Sequence, residues 1–225
     1  QLTKGIKVSV TEDKVNIDNS TSSEGSYNLA YVSETKATTT SYLLSFLFKN
    51  WEVVKVEDLK VSSSETTTDI LVRDKLYLDD ANQNAIKLAY EKAGKTFTIT
   101  SEENKIMYIN ENAITNNLKI GDILVSINDQ KINDLSDIRA IISNKLANDK
   151  LSFKIKRDNT IEDASAEVIE INGEKVIGIS IFKKFSYSTN PSLTLNFSAN
   201  ESGPSGGLMI ALSIYDKLID EDLTN

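Results

Sequence analysis

A glycine-rich turn that leads into an apolar helix constrains this chain more than any other stretch. The segment Glu201-Ser-Gly-Pro-Ser-Gly-Gly-Leu208 follows strands rich in valine, isoleucine and threonine. Apolar residues then recur at helical spacing: Leu208, Ala211, Leu212, Tyr215 and Leu218. The pattern predicts a strand, a tight turn and a helix that begins beside Ser205. Free N–H groups at a helix start, together with its dipole, suit an oxyanion.

Ser205 is therefore a candidate nucleophile, and the turn and oxyanion residues around it are Gly203, Pro204, Gly206 and Gly207. The alternative is that Ser205 is an ordinary helix cap, with Pro204 in the first turn and the glycines allowing close packing.

Histidine and cysteine are both absent from the 225 residues. Their absence excludes a Ser-His-Asp triad, thiolate chemistry and the common zinc sites, so a base for Ser205 must be lysine, aspartate, glutamate or an amine. We expect no metal and no cofactor. The net charge of −8 argues against a nucleic-acid partner, which needs clustered lysine and arginine. No apolar run is long enough to span a membrane.

The first third of the chain predicts strands followed by two helices. Alternation in residues 6–10 and 15–17 predicts a β-hairpin with one buried face, and residues 27–32 predict a third strand. Residues 38–41 are typical of a helix cap, and the apolar face after them is expected in the core: Leu43, Leu44, Leu47, Phe48 and Trp51. A second helix is predicted over residues 80–93, with Asp80 and Gln83 at capping-box spacing and Gly94 at its end.

Residues 95–171 change to short strands around a single helix. The order of Leu118, Gly121-Asp122, the strand-like run 123–128 and the helix 136–144 resembles that of bacterial PDZ domains. The resemblance implies a small β-barrel that binds an extended peptide beside an exposed strand edge. That edge would be residues 105–109, facing the helix. The implied peptide-binding residues are Asn104, Lys105, Ile106, Met107, Tyr108, Ile138 and Ile142.

The carboxylate-binding loop would lie near residues 103–106, where the usual glycine is absent, a departure that argues against capture of a free C-terminus. The alternative interpretation is that these residues only build a small barrel and a hinge, because many strand edges are covered.

A second resemblance lies at the C-terminal end. Ser202-Gly-Pro-Ser-Gly-Gly-Leu-Met-Ile-Ala-Leu212, with residues 214–218 and 222–224, is similar to the nucleophile segment of Lon-type serine proteases, especially the PDZ-containing Lon-like proteases of bacteria. The family uses a Ser-Lys dyad, in which a buried lysine deprotonates the serine. Its lysine follows the serine by some tens of residues. No lysine before Asn225 matches that position, so the resemblance implies a base outside this chain.

The resulting fold prediction is α+β. A Lon-like proteolytic domain, with a mixed sheet and helices and incomplete at its C-terminus, carries an inserted PDZ-like β-barrel. The predicted domains are residues 1–94, 95–171 and 172–225. The helix after Gly207 is apolar nearly all round, so we expect further chain to cover it.

The predicted function of the parent protein is an ATP-independent serine endopeptidase whose PDZ domain binds or gates peptide or unfolded protein substrates. Residues 94–96 read Gly-Lys-Thr but lack the earlier glycine of a phosphate loop, so no ATPase motif is predicted. The 225-residue chain itself is expected to be inactive. The resemblance implies the extracytoplasmic face of the bacterial membrane, and it is compatible with an N-terminal anchor outside this chain and with a homo-oligomer. The alternatives are a non-catalytic peptide-binding scaffold and, last, an adhesion or assembly module.

Overall fold

The computed structural model describes residues 1–20, 24–220 and 222–224. The chain is a mixture of strands and helices, as its pattern predicts. The strands are β1 (Leu2–Val10), β2 (Val15–Ile17), β3 (Asn28–Thr35), β4 (Trp51–Val53), β5 (Thr96–Ile109), β6 (Thr115–Asn116), β7 (Ile123–Ile127), β8 (Gln130–Lys131), β9 (Lys150–Arg157), β10 (Thr160–Glu167), β11 (Ile169–Ile171), β12 (Glu174–Val176), β13 (Ile179–Asn190) and β14 (Leu193–Leu195). The α-helices are α1 (Thr39–Ser45), α2 (Thr67–Lys92), α3 (Leu135–Ser143) and α4 (Gly207–Leu218).

The chain divides into two compact units. The first comprises Gln1–Val61, Ala81–Thr98 and Tyr187–Asn225, and the second comprises Ser62–Asp80 and Ile99–Ser186. The boundaries predicted from the sequence fall at 94/95 and 171/172. The boundaries between the two units fall within α2, β5 and β13, and each of these elements has residues in both units.

The first unit contains a three-stranded antiparallel sheet in the order β3-β1-β4 and a two-stranded sheet of β14 and β2. The predicted hairpin of residues 6–10 and 15–17 is therefore wrong. A short 3₁₀ helix, Thr11–Asp13, separates the two strands, and the N–H of Thr11 donates to the carbonyl of Tyr27. Because this turn redirects the chain, β1 pairs with β3 and β2 pairs with β14. Ile6 is 78% exposed, so the apolar side of β1 that was expected to be buried is open to solvent at this position.

The core of the first unit forms where α2 and α4 pack with β2. Its buried members are Val15, Ile17, Ala85, Ile86, Ala89, Tyr90, Ile210, Ala211, Ile214 and Leu218. The predicted apolar face of α1 is not part of this core, since Leu43 and Leu47 are exposed. The predicted cap of α1 is confirmed: Thr38 and Ser41 form a reciprocal capping box.

Helix α2 begins at Thr67 and not at the predicted Asp80. The hydroxyl of Thr66 accepts from the N–H of Asp69 at 3.2 Å, while the Asp69 carboxylate accepts from the N–H of Thr66 at 2.9 Å. This capping pair satisfies N–H groups that the first turn leaves free, so the helix extends back to it. Gly94, at φ +66°, ends the helix as predicted.

The second unit is built on a sheet with the strand order β13-β5-β7-β9-β10-β6, and β8 pairs with β7. Leu151, Phe153 and Ile155 of β9 are all buried, as their alternation predicts. Asp158 and Asn159 both have positive φ and join β9 to β10 in a tight hairpin turn. The predicted helix is present as α3, whose N-cap is Asp134. In the described part of the chain, no helix is both long enough and apolar enough to cross a membrane.

Candidate functional site

The Gly121-Asp122 motif fixes the start of β7. The buried carboxylate of Asp122 accepts from the N–H of Lys119 and from the guanidinium of Arg157, each at 2.7 Å. The hydrogen bond to Asp122 raises the pKa of Arg157, although burial alone would lower it. A salt bridge from Arg157 to Glu162, at 2.8 Å, completes the cluster. The motif therefore ties the loop before β7 to the end of β9, which is a structural role.

The strand predicted as the peptide-binding edge lies inside the sheet. Strand β5 pairs with β7 on one side, through Asn104 opposite Leu124 and Lys105 opposite Ile123, and with β13 on the other. The prediction that residues 105–109 form the open edge is therefore wrong. The reason is that β13 comes from a distant part of the sequence and takes that position.

The predicted residues of β5 consequently have other environments. Ile106 is fully buried in the core, and Asn104 is buried with its amide donating to the carbonyl of Ile132 at 3.3 Å. Met107 and Tyr108 are half-buried in the strand. Burial, and next the charge of Lys184, lowers the pKa of the Lys105 ammonium. None of these five residues presents its main chain at a sheet edge.

A groove of about 730 Å³ lies one strand further out, between α3 and residues 173–181. The wall from α3 is one helical face: Leu135, Ile138, Arg139, Ile142 and Ser143. The wall opposite carries isoleucines at alternate positions: Ile177, Ile179 and Ile181. The structure thus brings the predicted residues Ile138 and Ile142 into the groove, but their partners come from β13 and the segment before it. This wall could have been predicted from the sequence, because three isoleucines alternate in the residues that follow Gly173.

Strand β13 is the edge of its sheet in the described residues. The carbonyl of Gly178 accepts from the N–H of Asn110 at 2.7 Å, so it points toward the end of β5. Because the two sides of a trans peptide point in opposite directions, the N–H of Ile179 points away from β5. An added extended chain would meet this free donor.

Gly178 allows the backbone to turn into β13, which forms one wall of the groove. Its φ is +70°, a region that suits glycine, and a Cβ there would lie 2.7 Å from the Cβ of Ala113. The neighbouring hairpin of β11 and β12 closes one end of the groove. From β12, the ammonium of Lys175 donates to the carbonyls of Lys145 at 2.8 Å and Ser143 at 3.4 Å, at the end of α3.

The Ser205 segment lies in the first unit, and its flanks are firmly held. Lys14 forms an ion pair with Glu201, whose carboxylate also accepts from the N–H of Ser198 at 2.6 Å. Burial by itself would raise the pKa of Glu201, but these hydrogen bonds hold it below its ordinary value. A Cβ on Gly207 would lie 3.4 Å from that of Ala81, so α4 packs closely against α2.

Ser205 itself is exposed in the turn just before α4. Gly206 is the N-cap and the helix has no side-chain cap, so the alternative that Ser205 caps the helix is wrong. Within the described residues, the Ser205 hydroxyl makes no hydrogen bond, either to a lysine or to any other group. Pro204, Ser205 and Gly206 form the predicted turn, which follows Gly203 at φ +93° and leads into Gly207, the first residue of α4.

The described residues contain no cluster of three or more acidic side chains that could hold a metal ion.

A segment that lies mostly in the groove-bearing unit matches a known protein family. Residues 94–168 match the family model described as PDZ domain. Two similar solved structures are the PDZ domain of an SdrC-like protein from Listeria monocytogenes (18% identity, 36% of this chain, 90% of that chain, TM-score 0.32) and the second domain of a Listeria protein (24% identity, 37% and 86%, TM-score 0.31). No curated protein gives a significant match. The chain therefore contains a PDZ domain, in residues 94–168.

Proposed function

We propose that this chain binds peptides as added strands along the open edge of β13, in the groove beside α3. The observation that carries the proposal is the combination of a free strand edge with an apolar groove of about 730 Å³. Hydrogen bonds along the edge would hold the peptide main chain, and alternate side chains would enter the groove over Ile138 and Ile142. The family match to PDZ domains supports the same function.

Filling the groove with a bulky side chain tests the proposal. Ser143→Trp places an indole on the groove face of α3, while Ala140→Trp places one at an exposed position of the same helix that does not line the groove. The probe is a fluorescein-labelled ten-residue peptide of alternating valine and threonine, acetylated and amidated at its ends. We expect Ser143→Trp to weaken its binding at least about tenfold in fluorescence anisotropy, because the indole occupies the volume that peptide side chains need. Ala140→Trp should bind as the wild type does, and equal binding by both variants would contradict the site.

We propose in addition that the parent protein is a Lon-like endopeptidase in which Ser205 is the nucleophile. The supporting observation is the exposed serine at the start of an uncapped helix, where free N–H groups suit an oxyanion. The resemblance supplies the rest of the proposal: a lysine base C-terminal to this chain, an N-terminal anchor and a location on the extracytoplasmic face of the membrane.

The protease proposal is tested in a longer chain that continues past Asn225 to the lysine. Ser205→Ala should abolish cleavage of an unfolded protein substrate such as casein. Ser202→Ala, an exposed serine in the same segment, is the matched control and should cleave normally. The chain of residues 1–225 should show no turnover, and Ser205-dependent cleavage by it would place the base among the residues present.

A further inference from the structure

The few charged side chains that line the apolar groove beside β13 have a net positive charge, although the chain as a whole is acidic. Its charged lining residues are Arg139, Lys175 and Glu174, two cations against one anion, whereas the whole chain carries a net charge of −8. Such a local reversal of sign favours a ligand that brings negative charge.

The two cations differ in what they already contact. Lys175 donates to the main-chain carbonyls of Ser143 and Lys145, so its ammonium is engaged at the closed end of the groove. Arg139 is exposed on the groove wall, and in the described part of the chain it makes no hydrogen bond and no ion pair, Glu174 included. Its guanidinium is always charged and presents a planar fork of donors that fits a carboxylate. Arg139 is therefore the cation available to a ligand.

The position of Arg139 indicates the source of that carboxylate. Arg139 is the fifth of the nine residues of α3, about one helical turn from either end. A terminal carboxylate would lie where a peptide stops, at the end closed by β12. A side-chain carboxylate can lie in the middle of a strand that continues on both sides. The geometry thus favours an aspartate or glutamate side chain.

The spacing of the walls fits such a peptide. Side chains that face the same way along a strand repeat every two residues, about 6.6–6.8 Å apart. Ile138 and Ile142 of α3 lie one helical turn apart, about 6 Å along the axis. One peptide side chain over Ile142 and its neighbour two positions away, beside Ile138 and Arg139, would therefore match the helix face.

We propose that Arg139 selects an extended peptide in which an acidic residue faces α3 and an apolar residue stands two positions away. This inference rests on the proposed peptide-binding function and specifies its ligand class. It makes Arg139 a specificity-determining residue of the groove.

Two capped peptides test the selection. Both are the alternating valine and threonine probe with one central valine replaced. The replacement is glutamate in the first peptide and glutamine in the second. Wild type should bind the glutamate peptide about 3- to 10-fold more tightly than the glutamine peptide at low salt, because a charge-assisted pair forms at a partly desolvated site. Arg139→Gln should remove the preference, so that this variant binds the glutamate and glutamine peptides with equal affinity. Arg139→Lys should keep part of it.

Lys131→Gln is the matched control, because it removes the same charge from an exposed position outside the groove. It should leave the preference unchanged, whereas an equal loss would attribute the preference to the general field of the protein and overturn the inference. Equal binding of the two peptides by wild type, or a preference that survives Arg139→Gln, would also overturn it. An uncapped glutamine peptide that gains affinity through Arg139 would show that the terminal carboxylate is the ligand. If even the valine and threonine probe does not bind, the proposed function itself fails.

Discussion

Replacing Gly178 by alanine should destabilise the groove-bearing unit strongly, and Gly173 provides a matched control. Both glycines have positive φ, +70° and +82°. Forcing alanine into that region costs about 1–2 kcal/mol. A Cβ at Gly173 would have nothing within 4 Å, so Gly173→Ala should cost about that amount only.

Gly178 carries a second cost. Its added Cβ would lie 2.7 Å from the Cβ of Ala113 and 3.2 Å from the Cα of Ala113. These atoms cannot rotate away as a long side chain would, so the main chain must shift, at a further cost of about 1–3 kcal/mol. The total for Gly178→Ala is therefore about 2–5 kcal/mol.

Urea unfolding followed by circular dichroism measures the difference. With a slope of about 2 kcal/mol/M, the midpoint should fall by about 0.5–1 M for Gly173→Ala and about 1–2.5 M for Gly178→Ala. Ala113→Gly removes one of the clashing atoms, so it should recover part of the excess loss in a double-mutant cycle. Equal midpoints for the two alanine variants would refute the close approach of Gly178 to Ala113.

Three further variants examine other features of the second unit. Asp122→Asn should lower the free energy of unfolding by roughly 2–4 kcal/mol in urea, because it leaves Arg157 without its buried carboxylate; a loss under about 0.5 kcal/mol would contradict that role. Thr66→Ala should cost about 1 kcal/mol by removing the cap of α2, whereas an unchanged midpoint would place the helix start later. The pKa of Lys105 is lowered from 10.5, so at this group the unfolded chain binds more protons just below that pH, and the contribution of Lys105 to stability should rise as the pH approaches 10.5. The difference in urea midpoint between wild type and Lys105→Met should therefore shift in favour of the wild type between pH 8 and 10.5, and a constant difference would contradict this contribution.

Local signals in the sequence predicted local structure well. Helix α3 and strand β9 follow from the periodicity of a few neighbouring residues, and the cap at Thr38 follows from hydroxyl chemistry. The early start of α2 could also have been found, since Thr66 and Asp69 have capping-box spacing.

Pairing between distant strands could not be predicted in the same way. Alternation shows that a strand has two unlike faces, but it does not identify the neighbour that covers an edge. Thus the alternation in β1 was recognised, whereas the pairing of β1 with β3 and of β13 with β5 was not. The predicted peptide-binding strand therefore lies one strand inside the open edge, although Ile138 and Ile142, predicted on the facing helix, do line the groove.

Ser205 shows a different limit of prediction from sequence. The sequence predicted the turn and the helix, and the structure places Ser205 at their junction. A catalytic role depends on a second group that must approach the hydroxyl, and turn geometry alone carries no information about it.

The position of β13 has a practical consequence for dissecting the protein. A fragment cut at the limits of the family match, residues 94–168, would keep α3 but lose Ile177, Ile179 and Ile181. It would leave β5 with an unprotected hydrogen-bonding edge, and that edge would be prone to self-association. Peptide affinities measured on such a fragment would describe a surface that the intact chain covers, so excision for binding studies should extend at least through Ser186.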